Sequence, residues 1–149
     1  MNPEEINIKV IQRVDRDSVK KLYQQAGWWN GDDDSRENDS WIDDLVAGSF
    51  CFVGAFAGGE MVGMGRAISD GVSDAYVQDV TVLGEFRGMG LGARIIDEIT
   101  AFLRGRRIGW IGLIAEPGTQ VFYGRRGFTV MDGYSPMLLG EKRADSCRK

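Results

Sequence analysis

The 149-residue chain contains no histidine. That absence removes every His-dependent triad, every His-ligated zinc site and the imidazole as a general base. Cysteine is scarce. Cys51 and Cys147 lie far apart in the sequence, which argues against a disulfide framework and a cysteine metal site. No apolar run approaches the ~20 residues needed to cross a bilayer, and the acidic, alternating start MNPEEINIKV does not read as a signal peptide. A net charge of −4 argues against general binding to nucleic acid. The expectation is a cytoplasmic protein in a reducing setting, with no metal, no membrane and no nucleic acid.

What is present is ordinary in bulk. The 43% hydrophobic and 27% charged residues fit one globular domain over 1–149. The charge, however, is uneven. Residues 1–86 carry seven Lys/Arg against sixteen Asp/Glu, whereas 87–126 carry seven Arg against Asp97, Glu98 and Glu116. This basic segment opens on a glycine-rich turn, as a site for a polyanion would; a solvated helix face would show the same charges.

Periodicity divides the chain into short elements. INIKVIQRV (6–14) alternates as a strand, and DRDSVKKLYQQAG follows as a helix capped by Asp15 or Asp17 and ended by Gly27. A short helix is expected near Trp41 to Val46. SFCFVGAFAGGEMVGMGRAIS (49–69) is two apolar runs around AGGE, a hairpin signal, and DAYVQDVTVL (74–83) is a further strand. Leu91, Ile95, Ile96, Ile99, Phe102 and Leu103 follow helical spacing. RIGWIGLIAE (107–116) reads as a buried strand, PGTQVFYGRRG as a short helix started by Pro117 and stopped by Gly127, and FTVMDG and YSPMLL as two last strands. The order β-α-α-β-β-β-α-β-α-β-β predicts an α/β fold with a mixed, mostly antiparallel sheet of six or seven strands and about four helices.

The turn itself allows two readings. As Gly88-x-Gly90-x-x-Ala93, with Glu116 at a later strand end, it matches a dinucleotide fingerprint and points to a nucleotide-binding oxidoreductase. Against that, GEFR separates the turn from its strand, 86 largely antiparallel residues precede it, and too few follow for a doubly wound sheet. As Arg87-x-x-Gly90-x-Gly92 after DVTVLGEF, the segment resembles the acetyl-CoA-binding motif of the GNAT N-acetyltransferase superfamily. FYGRRGF (122–128) is similar to that superfamily's "FY…GF" signature, in the right order and about 35 residues on.

The resemblance implies a GNAT-like fold and acetyl-CoA as co-substrate. It implies a pyrophosphate held by backbone N–H groups from Gly88 through Met89, Gly90, Leu91 and Gly92 to Ala93, with Arg87 bonding a phosphate or bracing the loop. Pantetheine would lie along Val80, Thr81 and Val82, near Glu116 and Phe122. Glu116 stands where asparagine is common in the family. Tyr123 falls on the position of the general acid, and a phenol (pKa ~10) can protonate a thiolate (thiol pKa ~8.5); it can equally serve only to pack the channel. Gln78 stands where many members carry a glutamate base. It takes no proton but can hold a water or the acceptor, which leaves Asp70, Asp74 and Glu116 as candidate bases. Period-two alternation places Asp79 on the opposite face from Gln78.

For the acceptor, GWWNGDDDSRENDSW offers Trp28, Trp29 and Trp41 as an aromatic wall and Asp32 to Asp34 as an acidic rim; SDGVSDAY (69–76) is a second place where Asp70 and Asp74 can meet an ammonium group, with Tyr76 a further acceptor-binding candidate. The alternative for these residues is plain packing and solvation. The expected activity is direct acetyl transfer to a primary amine, small or lysine-like. A non-catalytic acyl-CoA-binding or regulatory module on the same fold is the rival reading. A homodimer is suggested only by analogy with the family.

Overall fold

In the computed structural model, which describes residues 2–29 and 39–140, strands β1 (Asn7–Val10), β2 (Cys51–Ala57), β3 (Glu60–Ser69), β4 (Asp74–Val82) and β5 (Trp110–Gly112) form one sheet in sequence order. The first four run antiparallel, and β5 lies parallel to β4. The parallel step needs a crossover, and α3 (Leu91–Gly105) supplies it. Helices α1 (Arg16–Gln25) and α2 (Ser40–Gly48) cover one face of the sheet and α3 the other, while the short α4 (Gln120–Gly124) packs at the start of α3.

Local signals explain most of these elements. Asp15 caps α1 by accepting from the Ser18 N–H at 3.1 Å and the Ser18 hydroxyl at 2.8 Å. In α3 the apolar stripe Leu91, Ile95, Ile96, Ile99 and Leu103 is fully buried against the sheet. β3 meets that stripe with glycine. A Cβ on Gly65 would stand 2.8 Å from Ile95 Cγ2 and 2.9 Å from Ile99 Cδ1, so only a bare backbone lets α3 come this close.

Two expectations are corrected. Five strands form among the described residues, not six or seven. FTVMDG and YSPMLL join no sheet, and all of 129–140 is exposed. The segment 107–116 shortens to a three-residue strand that meets β4 only from Asp74 to Tyr76 and then parts from it. Apolar, β-branched composition marks a segment able to be extended, but pairing depends on a neighbouring edge that composition does not specify.

The second correction concerns the face of β4. Register shifts between the pairs Arg66↔Gln78 and Met64↔Thr81, so β4 holds one extra residue, and Asp79 adopts φ +55°. This bulge reverses the alternation beyond it. Gln78 and Asp79 both reach Arg66, while Val80 and Val82 turn to the α3 side, where their Cγ2 atoms stand beside Gly65 and Gly63. The rule of two fails at one residue.

Candidate active site

The glycine loop enters α3 without a side-chain cap. Gly90 is the N-cap residue at φ +78° and Gly88 has φ +76°, both in the left-handed region that favours glycine. A Cβ at either position would meet nothing within 4 Å, so the space above the loop is open. Helix geometry leaves the first-turn N–H groups of α3 without intrahelical partners, and the helix dipole makes this end attractive to an anion. Gly92 has a different role. A Cβ there would lie 3.3 Å from Phe122 Cζ, so this glycine admits α4 against α3. Arg87 braces the loop, its Nε donating to the Val82 carbonyl at 3.0 Å.

Beside the loop, β4 and β5 separate. From Val77 onward β4 has no β5 residue paired with it, which opens a gap along Val80 to Val82. Tyr123 stands in an aromatic group, with its ring centroid 4.9 Å from that of Phe122 and 5.9 Å from that of Phe128. Burial raises its phenol above the ordinary value, and the Glu116 charge adds to that. Tyr123 therefore holds its proton at neutral pH. Glu116 accepts from Trp28 Nε1 at 3.2 Å, which ties the end of α1 to the exit of β5.

On the α1–α2 face, a shallow pocket of about 260 Å³ is lined by Ile68, Ser69, Asp70, Asp74, Tyr76 and Gln78. Trp110 flanks it, 5.3 Å from the Tyr76 ring. Its floor is anchored by a buried network. Arg66 Nε donates to Asp79 Oδ2 at 2.7 Å, the Tyr23 hydroxyl donates to the same oxygen at 2.8 Å, and Arg66 Nη2 donates to Gln78 Oε1 at 3.2 Å. With its oxygen so engaged, Gln78 is left with its amide N–H groups to present to the pocket. Asp70 is occupied differently. It accepts from the N–H groups of Val72 and Ser73 and from the Ser73 hydroxyl, and these bonds lower its pKa to about 2. Such a carboxylate takes no proton near neutrality.

The model of the Acetyltransferase (GNAT) family matches residues 16–128. The chain belongs to that family. Serotonin N-acetyltransferase 2, chloroplastic, from Oryza sativa subsp. japonica is 36% identical to this GNAT chain over 90 residues, 60% of the chain and 41% of that protein; the match thus spans about two-fifths of the relative's length. A GNAT family acetyltransferase from Streptococcus pneumoniae superposes with a TM-score of 0.73 at 25% identity, covering 92% of this chain and 98% of that one. A predicted acetyltransferase with acetyl-CoA from Clostridium acetobutylicum shares the fold, with a TM-score of 0.66 at 15% identity over 89% of this chain and 96% of that one.

Within the GNAT frame, the residues singled out by sequence fall into two groups. Gly88 to Ala93, Arg87, Phe122 and Tyr123 gather at the start of α3, with Glu116 near enough to Tyr123 for its charge to act there and itself bonded to Trp28. Asp74, Tyr76 and Gln78 share the pocket. Trp29 packs against Trp41 (6.3 Å), and Trp41 stacks on Tyr23 at 5.7 Å, so these rings join α1 to α2. Asp32 to Asp34 lie outside the described residues. Sequence reading missed Arg66, Tyr23 and Asp79 as a set. One signal was there, since Arg66 is a lone charge inside the apolar run of β3, and a charge in such a place needs a partner. Among the described residues, no group of three or more His, Cys, Asp or Glu side chains is placed to hold a metal, and no helix is long and apolar enough to cross a membrane.

Proposed function

We propose that this chain is an N-acetyltransferase that uses acetyl-CoA to acetylate a primary amine. The uncapped start of α3 carries the reading. Open space lies over Gly88 and Gly90, the gap between β4 and β5 begins beside it, and Tyr123 is held against it through Phe122 and Gly92. The site fits the co-substrate on that chemistry: N–H donors for a pyrophosphate and unpaired β4 backbone for the pantetheine amides. When bound, acetyl-CoA supplies the activated acetyl group.

The chain's own residues do the rest. Tyr123 Oη keeps its proton at neutral pH and donates it to the leaving sulfur. Gln78 orients a water or the acceptor nitrogen with its amide N–H groups. Asp74 and the permanently charged Asp70 draw an ammonium to the pocket, and Tyr76 and Trp110 give an apolar body a wall to lie on. Of the candidate bases this leaves Asp74 and Glu116, and proximity supplies much of the acceleration without either. A buried, free Cys51 suits a reducing compartment such as the cytoplasm.

The test is a calorimetric titration with acetyl-CoA on wild type and Gly90→Asp, followed by a CoA-release screen over primary amines. Serotonin comes first, since it is in the name of the rice relative. Micromolar binding lost in Gly90→Asp, with CoA release for at least one amine, is the expected result. Binding without release for any amine supports a non-catalytic acyl-CoA module instead. No binding by folded wild type overturns the proposal.

A further inference from the structure

Arg66 places a guanidinium inside the apolar run of β3, with its side chain 11% exposed. Its partner Asp79 accepts from Nε at 2.7 Å and accounts for the buried charge. The rest of the fork meets neutral groups. Nη2 donates to Gln78 Oε1 at 3.2 Å, and Nη1 reaches Ser49 Oγ at 3.5 Å. The Ser49 hydroxyl gives its own proton to the Leu45 carbonyl at 2.7 Å, which leaves its oxygen to face Arg66 as an acceptor. The guanidinium is thus held from β4, from the end of α2 and, through Asp79 and the Tyr23 hydroxyl, from α1. A guanidinium donates and never accepts, so the Gln78 carboxamide meets it with its oxygen. Its N–H groups are then left for the pocket that Gln78 lines with Ile68, Tyr76 and Asp74. The backbone bends to allow this. Gln78 and Asp79 are consecutive, and a regular strand would send them to opposite faces; the bulge, with Asp79 at φ +55°, brings both to Arg66. An ion pair buried for stability needs Asp79 only, whereas Gln78 adds a bond to a side chain that faces the pocket.

We infer that Arg66 is a positioning residue for the acceptor side of acetyl transfer: by holding Gln78 Oε1 it fixes the carboxamide so that the pocket meets N–H donors. The inference rests on the acetyl-transfer reading above. A carboxamide carries an acceptor at one end and donors at the other, and which end faces outward decides what it binds. An outward oxygen would bind an ammonium group and stabilise its charged form, which cannot attack a thioester. Outward N–H groups favour a water or the neutral amine. Arg66 thereby biases the bound acceptor toward the form that reacts, without taking a proton itself. Lysine would not serve in its place. It can keep a cation beside Asp79, but it lacks the planar fork that reaches two neighbouring side chains at once.

The test is a double-mutant cycle in the full chain, with the amine that releases CoA fastest in the screen above. Arg66→Lys and Gln78→Met should each lower kcat/KM for that amine about tenfold, the effect of one hydrogen bond, with KM for acetyl-CoA within about twofold of wild type. The double variant should also fall about tenfold, because both changes remove the same bond. In Arg66→Lys, kcat should need a higher pH to reach its plateau, since kcat reports the bound amine. A second readout needs neither activity nor a variant that folds: NOEs from the Gln78 side-chain amide protons to Tyr76 and Ile68 in wild type. An active wild type whose double variant falls about a hundredfold overturns this inference alone, since Arg66 would then act independently of Gln78. Missing NOEs in folded wild type overturn it as well. A wild type that releases no CoA with any amine removes the acetyl-transfer reading, and this inference with it.

Discussion

On the α3 face of the sheet, Ile95, Ile96, Ile99 and Leu103 are fully buried against strands whose glycines let the helix come close. On the α1–α2 face, Tyr23, Arg66, Gln78 and Asp79 form one hydrogen-bonded set beneath an open pocket. The first face is held by area and shape, which tolerate small errors in position. The second adds directional bonds to its own buried Val19, Leu22 and Ile42, and each polar member left without its partner costs the desolvation of a polar group. Both faces thus bury an apolar core, and the α1–α2 face alone sets a fixed polar network beneath the site.

The sharpest way to break this contrast is Arg66→Ala. It takes the cation away from the Asp79 carboxylate, whose side chain is 2% exposed, and should cost about 3–5 kcal/mol in chemical denaturation, a large part of a typical domain's stability. A loss under 1 kcal/mol would show that water solvates Asp79 and that the network is not structural. Ile99→Ala should cost about 3 kcal/mol through a cavity, while kcat/KM of the folded enzyme stays unchanged. The two variants would then separate the faces, one losing stability alone and the other stability with acceptor affinity.

Tyr123→Phe sharpens the comparison from the side of the chemistry. It removes one hydroxyl, and turnover should fall more than about tenfold with acetyl-CoA affinity nearly intact. Since the phenol is raised above its ordinary value, turnover should show no loss from its ionisation below about pH 10. Unchanged turnover in Tyr123→Phe would leave Tyr123 a packing residue.

The smallest effect belongs to Asp70. Its folded pKa of about 2 lies below the ordinary carboxylate value of about 3.9. The contribution of its turn is therefore complete above pH 4 and is lost as pH falls through about 2. Asp70→Asn should flatten acid unfolding in that window, and leave the amine KM raised by the missing charge. An unaltered acid limb would mean that the 70–74 turn does not depend on the carboxylate.

Much of this site was legible in order along the chain. Gly88 and Gly90 announce backbone that other residues resist, and the spacing from Leu91 to Leu103 announces the helix they open. Gly92 was legible only as part of a pattern, and its contact with Phe122 belongs to the packing of α4. Trp28 and Glu116 lie 88 residues apart, and nothing local says that they meet.

Sequence alone determined the caps, the hairpin, the apolar stripe and the left-handed glycines, because each depends on φ/ψ preference or on side-chain period within a few residues. Tertiary structure decided three things: that Asp79 takes up a bulge and joins Gln78 on one face, that β5 parts from β4 after Tyr76, and that 129–140 pairs with no strand among the described residues. Each is a matter of which strand lies alongside, and strand pairing is set by distant residues whose edges must match, not by the segment that pairs.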